Sequence, residues 1–304
     1  MGHDHAHGTG VRHRGRLAIV LALTVGVLAV EATVAWITGS LALLADAGHL
    51  LGDSFGIVMA LAAIAAAQRG GGPDTRRSFG FHRTEVLAAG LNGLILLGLS
   101  GWVVYSAIRR LGDSPDLEPG PILFAGAVGL VVNVIGLMLL RGGAKESLNV
   151  RGAYLEVLGD ALGSIAVVVS AAVILTTGWD GADSVASLVI AAMIVPRAIS
   201  LLREVGEVLL ESTPRHVDLA ELRTHILEVD GVREVHDLHV WTITSGMPVM
   251  SAHIVVDDSM TGMDEAHDVL DTLRGCLSEH FDVEHSTFQI EPAGHVDSEG
   301  HVHH

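Results

Sequence analysis

Six stretches of the chain, roughly residues 17–38, 41–67, 84–108, 121–140, 151–177 and 182–204, each run for about twenty or more predominantly apolar residues. A bilayer core about 30 Å thick takes about 20 helical residues to cross. The pattern therefore predicts a membrane all-α domain, a bundle of six transmembrane helices. Very short turns separate the first span from the second and the fifth from the sixth, so each of those pairs forms an antiparallel hairpin. The spans are rich in Gly and Ala, which lets helices in lipid approach closely.

Composition agrees. Only 17% of the 304 residues are charged and 49% are hydrophobic, against about 25% charged in ordinary soluble domains. Mean hydropathy is +0.47. The first apolar run is too long for the core of a cleavable signal peptide. The single cysteine, Cys276, excludes an internal disulfide framework and a CxxC-type zinc site. A formal charge of −17 argues against nucleic acid, and no Walker A sequence is present to bind ATP. Eighteen histidines are many for so apolar a chain and point to metal or proton handling.

The basic residues set the orientation. Arg12, Arg14 and Arg16 precede the first span. Arg69, Arg76, Arg77 and Arg83 follow the second, and Arg141, Lys145 and Arg151 follow the fourth. On the other side Arg109 and Arg110 are offset by Asp113, Asp116 and Glu118, and the loop with Asp180 and Asp183 has no base. The reading is a multi-pass plasma-membrane protein, in contact with lipid, with both termini cytoplasmic.

Ionisable groups inside a span cost roughly 2.5–3.5 kcal/mol each and need a reason. Span two carries Asp46, His49 and Asp53, and span five carries Glu156 and Asp160. His49 and Asp53 are four apart and share a helix face, as do Glu156 and Asp160. At 1.5 Å per residue Asp53 lies about 18 Å from the outer end of its span and Asp160 about 14 Å from the inner end of its own. Both fall near mid-membrane. Two facing helices then present His49, Asp53, Glu156 and Asp160, a set suited to a divalent cation of the zinc type. Asp46 reads as structural or proton-linked. Glu31, Asn92 and Asn133 either line the path or pack the helices.

From about Thr213 acid outweighs base and no long apolar run follows. The pattern predicts a helix near 216–229, strands near 232–243 and 248–257, a helix near 264–280 and a strand near 282–291, an α+β domain of order α-β-β-α-β. Val235, Leu238, Val240 and Ile243 alternate imperfectly in the first of these strands. The predicted parts are an N-terminal tail over 1–16, a transmembrane domain over 17–210, a metal-binding and dimerisation domain over 211–292 and a tail over 293–304.

The resemblance lies in Gly39-Ser40-Leu41-Ala42-Leu43-Leu44-Ala45-Asp46-Ala47-Gly48-His49 through Asp53, in Ser78-Phe79-Gly80-Phe81-His82-Arg83-Thr84-Glu85, and in Leu148-Asn149-Val150-Arg151-Gly152-Ala153 leading to Val157-Leu158-Gly159-Asp160. It continues in His239-Val240-Trp241 and Thr287-Phe288-Gln289-Ile290-Glu291. Over nearly its whole length the chain resembles the cation diffusion facilitator family of metal/proton antiporters, in its zinc-transporting branch. The resemblance implies a homodimer with six spans and a metallochaperone-like cytoplasmic domain. It implies proton-coupled efflux of Zn2+ or another divalent metal, with the metal also a regulatory ligand, and no enzymatic activity.

The resemblance places His49, Asp53 and Asp160 in the transport site. Histidine is usual where Glu156 stands, and the more oxygen-rich set turns preference toward Mn, Fe, Co or Cd. Candidate cytoplasmic ligands are His236, His239, His253, His267, His285 and Glu291, each either a ligand or an ordinary histidine or acid. His82 corresponds to an interface metal site of some relatives. Arg83 and Glu211 correspond to a charge interlock between protomers, or are interfacial charges. His3, His5, His7, His13, His295, His301, His303 and His304 make histidine-bearing tails that hold metal loosely or are simply solvated. The rival class is a membrane-tethered metal sensor, whose ligands would all lie in the soluble part.

Overall fold

In the computed structural model, residues 7–68, 79–112, 115–143, 148–244, 246–257, 262–281, 283 and 285–295 are described. Arg69, Arg76, Arg77, Ser78, Asp113, Lys145, His3, His5, His301, His303 and His304 lie outside them. The chain divides into two units, Met1–Ala62 with Ala88–Leu202, and Ala63–Leu87 with Arg203–His304.

The first unit is built on α1 (His7–Thr38), α2 (Leu41–Gln68), α3 (Arg83–Arg110), α4 (Pro119–Leu140), α5 (Leu148–Thr177) and α6 (Gly181–Leu209). Among the described residues, Ala18–Thr38 of α1, α3, α4, Val150–Thr177 of α5 and α6 are long and apolar enough to span a bilayer. With α2, 28 residues and about 42 Å long, they answer the six predicted spans. The buried side chains between them are small: Ala35, Ala42, Ala45, Ala125, Ala171 and Ala186 join Leu43, Val103, Ile122, Val167, Ile190 and Ile194. On α4, Gly126, Gly129, Asn133 and Gly136 fall on the buried stripe. A Cβ on Gly126 would come within 2.8 Å of Val167. Large apolar side chains such as Trp36, Phe124 and Met138 face outward, an inversion suited to lipid rather than water.

The α1–α2 turn is two residues long. Gly39, at φ +72°, takes the left-handed conformation that a side chain disfavours. Its carbonyl accepts from Arg110 Nη1 at 2.7 Å. The next helix begins under a borrowed cap. Asp183, in the first turn of α6, accepts from Leu41 N at 2.7 Å, from Ala42 N at 3.4 Å and from the Ser40 hydroxyl. The start of α2 would otherwise leave these N–H groups unpaired. Asp183, an outer-loop acid by sequence, is thus a buried fastener that fixes where α2 starts.

The second unit holds α7 (Leu219–Leu227), β1 (Val232–Thr242), β2 (Pro248–Val256), α8 (Met263–His280) and β3 (His285–Pro292), the predicted α-β-β-α-β order. The sheet order is β1-β2-β3. β1 pairs antiparallel with β2, and β3 pairs parallel with β2 after the α8 crossover. Leu222 and Ile226 of α7 and Val269, Leu273 and Leu277 of α8 pack on Val235, Val240, Met250, Ala252 and Ile254 of the sheet. Asp218 caps α7 by accepting from Ala220 N at 2.8 Å and Glu221 N at 3.3 Å.

The imperfect alternation of β1 has a cause. The register shifts between His236 and His239, where Asp237 has φ 45°. An extra residue there is a β-bulge, which resets the side-chain alternation. Val235, Leu238 and Val240 consequently all reach the core side. By the same shift His236 and His239, three apart, both point to the opposite face.

Candidate metal centres

In the first unit α2 and α5 bring together His49, Asp53 and Asp160. One donor atom from each lies within 4.8 Å of the other two. His49 Nε2 is 3.6 Å from Asp53 Oδ2 and 3.5 Å from Asp160 Oδ1. Ligands about 2.1 Å from a tetrahedral metal stand about 3.4 Å apart, so these separations are those of adjacent vertices around such an ion. His49 and Asp160 are buried and Asp53 nearly so. Asp53 Oδ2, Asp160 Oδ1 and His49 Nδ1 have no hydrogen-bond partner among the described residues. Buried polar groups are ordinarily satisfied. Two open carboxylate oxygens facing one imidazole nitrogen make a donor set that could hold a cation.

Glu156, the fourth expected ligand, stands elsewhere. Its Oε1 accepts from Arg197 Nη2 at 3.2 Å, and Arg197 Nη1 lies 2.9 Å from His49 Nε2. Arg197, on α6 directly after the helix-interior Pro196, is the residue that the sequence reading missed. Its signal was an arginine well inside an apolar span. His49, Glu156 and Arg197 line a cavity of about 490 Å³, with Asp46, Gly159 and Met193 also on its wall.

A second polar cluster adjoins the site through α1, α4 and α5. Glu31 is fully buried and neither of its carboxyl oxygens has a partner among the described residues. A Cβ on Gly129 would fall 2.5 Å from Glu31 Oε1. Asp46 accepts from Ser164, and Asn133 Nδ2 donates to the Ser164 hydroxyl at 3.2 Å. Asn133 therefore has a hydrogen-bonding role. Asn92 is buried on α3.

In the second unit the sheet face opposite the helices gathers His236, His253 and Glu291. Cross-strand pairing sets His236 against His253, and Val255 against Glu291, so all three point the same way. His253 Nδ1 is 2.8 Å and His236 Nε2 3.5 Å from the Glu291 carboxylate, and the two imidazole centroids are 5.0 Å apart. Glu291 is 2% exposed and also accepts from Gln289 Nε2 at 2.7 Å. A carboxylate so buried needs hydrogen-bond donors or a cation beside it.

The remaining candidates are not drawn into either trio. His239 is exposed on the same sheet face, in a hollow with Glu211, Trp241 and Ser251. His267 lies on the exposed face of α8, 3.4 Å from Asp271. His285 is exposed at the start of β3, His295 is exposed beyond its end, and His82 is half-buried before α3. Arg83 Nη2 and Glu211 Oε1 are 2.8 Å apart within one chain, with Glu211 in the left-handed conformation at φ 57°. His7 and His13 fall in the first turns of α1.

The sequence carries two further signals when set beside known proteins. Residues 17–210 match the cation efflux transmembrane domain family and residues 214–293 the cytoplasmic domain of cation efflux proteins. Metal cation efflux system protein CzcD of Cupriavidus metallidurans is 41% identical over 292 residues, covering 96% of this chain and 90% of that one. The cadmium, cobalt and zinc/H(+)-K(+) antiporter of Bacillus subtilis is 36% identical, covering 97% and 93%. Zinc transporter ZitB of Escherichia coli is 35% identical, covering 100% and 99%. Among solved structures, the metal-bound C-terminal domain of the Cupriavidus metallidurans CzcD transporter is 40% identical, at a TM-score of 0.23 over 25% of this chain and 99% of that one.

Proposed function

Because the chain belongs to the cation efflux family, and so is a metal-cation transporter rather than an enzyme, we propose that it exports Zn2+ from the cytoplasm across the plasma membrane in exchange for protons. The observation that carries the reading is the convergence of His49, Asp53 and Asp160 in mid-bundle at tetrahedral spacing. Glu156 completes the set once it leaves Arg197. Imidazole and carboxylate together suit zinc-type ions. The share of oxygen donors extends the cargo to Co, Mn and Fe, and cadmium and cobalt appear with zinc in the name of the Bacillus subtilis relative.

The transport cycle is alternating access. Cargo enters the cavity from the cytoplasm and binds ligands that must be deprotonated, so binding releases a proton. Reprotonation on the outer side expels the ion. Moving two charges outward against about 100 mV, inside negative, costs about 4.6 kcal/mol, and one incoming proton returns about half. The proton in the name of the antiporter relative supports this counter-ion.

Residues 17–210 form the transport domain. Residues 211–292 form a cytoplasmic domain that dimerises and senses metal through His236, His253 and Glu291, between cytoplasmic tails over 1–16 and 293–304. Arg83 and Glu211 brace the dimer.

The test is uptake of Zn, Cd, Co, Mn and Fe into proteoliposomes with proton flux followed in parallel. The expected result is saturable Zn2+ transport with opposite proton movement in the wild type and neither in Asp160→Ala. Wild-type protein that binds Zn2+ but moves neither ion is a sensor, and this reading then fails.

A further inference from the structure

The lone pair on His49 Nε2 is already in use. A guanidinium only donates hydrogen bonds, so at 2.9 Å from Arg197 Nη1 the imidazole nitrogen is the acceptor. A metal binds an imidazole through that same lone pair at about 2.0–2.1 Å. The two cannot hold it together. The other arm of the same guanidinium, Nη2, holds Glu156 Oε1 at 3.2 Å. One arginine on α6 thus occupies donors on both site helices, α2 and α5. It stands against Gly159, where an added Cβ would be 3.5 Å from Nη1, and its side chain is 46% exposed in the cavity.

A purely structural arginine explains this poorly. An ion pair this exposed contributes little to stability. A histidine buried for structure would have both ring nitrogens satisfied, whereas His49 Nδ1 has no partner among the described residues. Asp53 Oδ2 and Asp160 Oδ1 face Nε2 yet accept no hydrogen bond there. The arrangement leaves the two aspartates open and closes the other two donors.

We propose that Arg197 is a built-in competitor for the cargo, a tethered cation that takes His49 and Glu156 whenever the transported ion does not. This rests on the export reading of the site. Cargo held by Asp53 and Asp160 displaces the guanidinium and gains an imidazole nitrogen and a third carboxylate in one movement. The return of Arg197 helps to eject the ion. Competition also sharpens choice. Mg2+ and Ca2+ favour oxygen ligands and gain only the Glu156 carboxylate when the guanidinium leaves, whereas zinc-type ions gain a preferred imidazole nitrogen as well. Lysine is no substitute, because a point ammonium lacks the planar fork that spans two acceptors.

The test is concentration-dependent Zn2+ uptake by the full chain in proteoliposomes, normalised to reconstituted protein, for wild type, Arg197→Ala, Arg197→Lys and Asp160→Ala. Removing the competitor lowers half-saturating Zn2+ by about tenfold, within the usual range of about 5–150-fold for coupled binding. It also slows maximal turnover, because cargo leaves less readily. Arg197→Lys shifts both in the same direction by less, and serves alone if the alanine protein does not reconstitute. Half-saturation unchanged or raised in the Arg197 variants, with Asp160→Ala inactive, overturns the competitor while sparing the site. Saturable uptake by Asp160→Ala at the wild-type rate overturns the site itself, and the competitor with it.

Discussion

The residue that sets this site apart is Glu156. In the resting arrangement it neutralises Arg197, and in the proposed loaded state it is the fourth ligand. Replacing it with histidine exchanges an oxygen donor for a nitrogen and removes the carboxylate that holds the guanidinium. The exchange of donor favours zinc over harder ions. Glu156→His is expected to raise the ratio of Zn2+ to Mn2+ uptake, measured side by side in one proteoliposome preparation. An unchanged ratio would mean that residue 156 never touches the ion. At this scale much was legible. Acidic groups inside apolar spans announce themselves, and the i,i+4 spacing by itself puts His49 on one face with Asp53. Arg197 escaped because the positive-inside pattern is counted over loop arginines, and because helix spacing within one span says nothing about which neighbour a side chain will meet.

Elements position these residues, and α2 depends on a cap supplied from far along the chain. Asp183 satisfies backbone N–H groups of Leu41 and Ala42 about 12 Å from His49 along the helix. With alanine at 183 these buried donors and the Ser40 hydroxyl lose their acceptor, at about 1–3 kcal/mol for each group left unpaired. Asp183→Ala is therefore expected to lower the Tm of the detergent-solubilised protein by several degrees, at about 2–4 °C per kcal/mol, and to reduce Zn2+ transport through a displaced α2. Asp183→Asn retains a carbonyl acceptor and should lose less. Equal Tm for wild type and the alanine variant would show that the cap is dispensable.

Sequence pattern located both helices but not this link, since a carboxylate at a loop end reads the same whether it caps a neighbour or faces water. The bulge in β1 is the opposite case. Its trace, the three-residue step from Val235 to Leu238, stood in the alternation. What could not be read was the consequence, that His236 and His239 would share a face and that pairing with β2 would bring His253 beside His236.

At the scale of the whole chain, the six spans and the α-β-β-α-β order were legible because each is local, one a matter of apolar length and the other of periodicity. The geometry of the two candidate metal trios was not, because each needs strands or helices far apart in sequence to meet. The two trios differ in kind. His49, grouped with Asp53 and Asp160, opens on a cavity of about 490 Å³ that a mobile ion can enter. Glu291 and His236 are sealed at 2% and 1% exposure in a hydrogen-bonded sheet, where a bound ion has little room to leave. The first arrangement suits passage and the second retention. Zn2+ retained after gel filtration, counted per chain by elemental analysis, should therefore fall by about one ion in a His253→Ala, Glu291→Gln double variant whose uptake continues. An Asp53→Ala, Asp160→Ala double variant should keep that ion and transport nothing. If the first pair of substitutions abolishes uptake while retained Zn2+ is unchanged, the sheet trio is part of the transport path rather than a sensor, and the separation of roles along the chain is wrong.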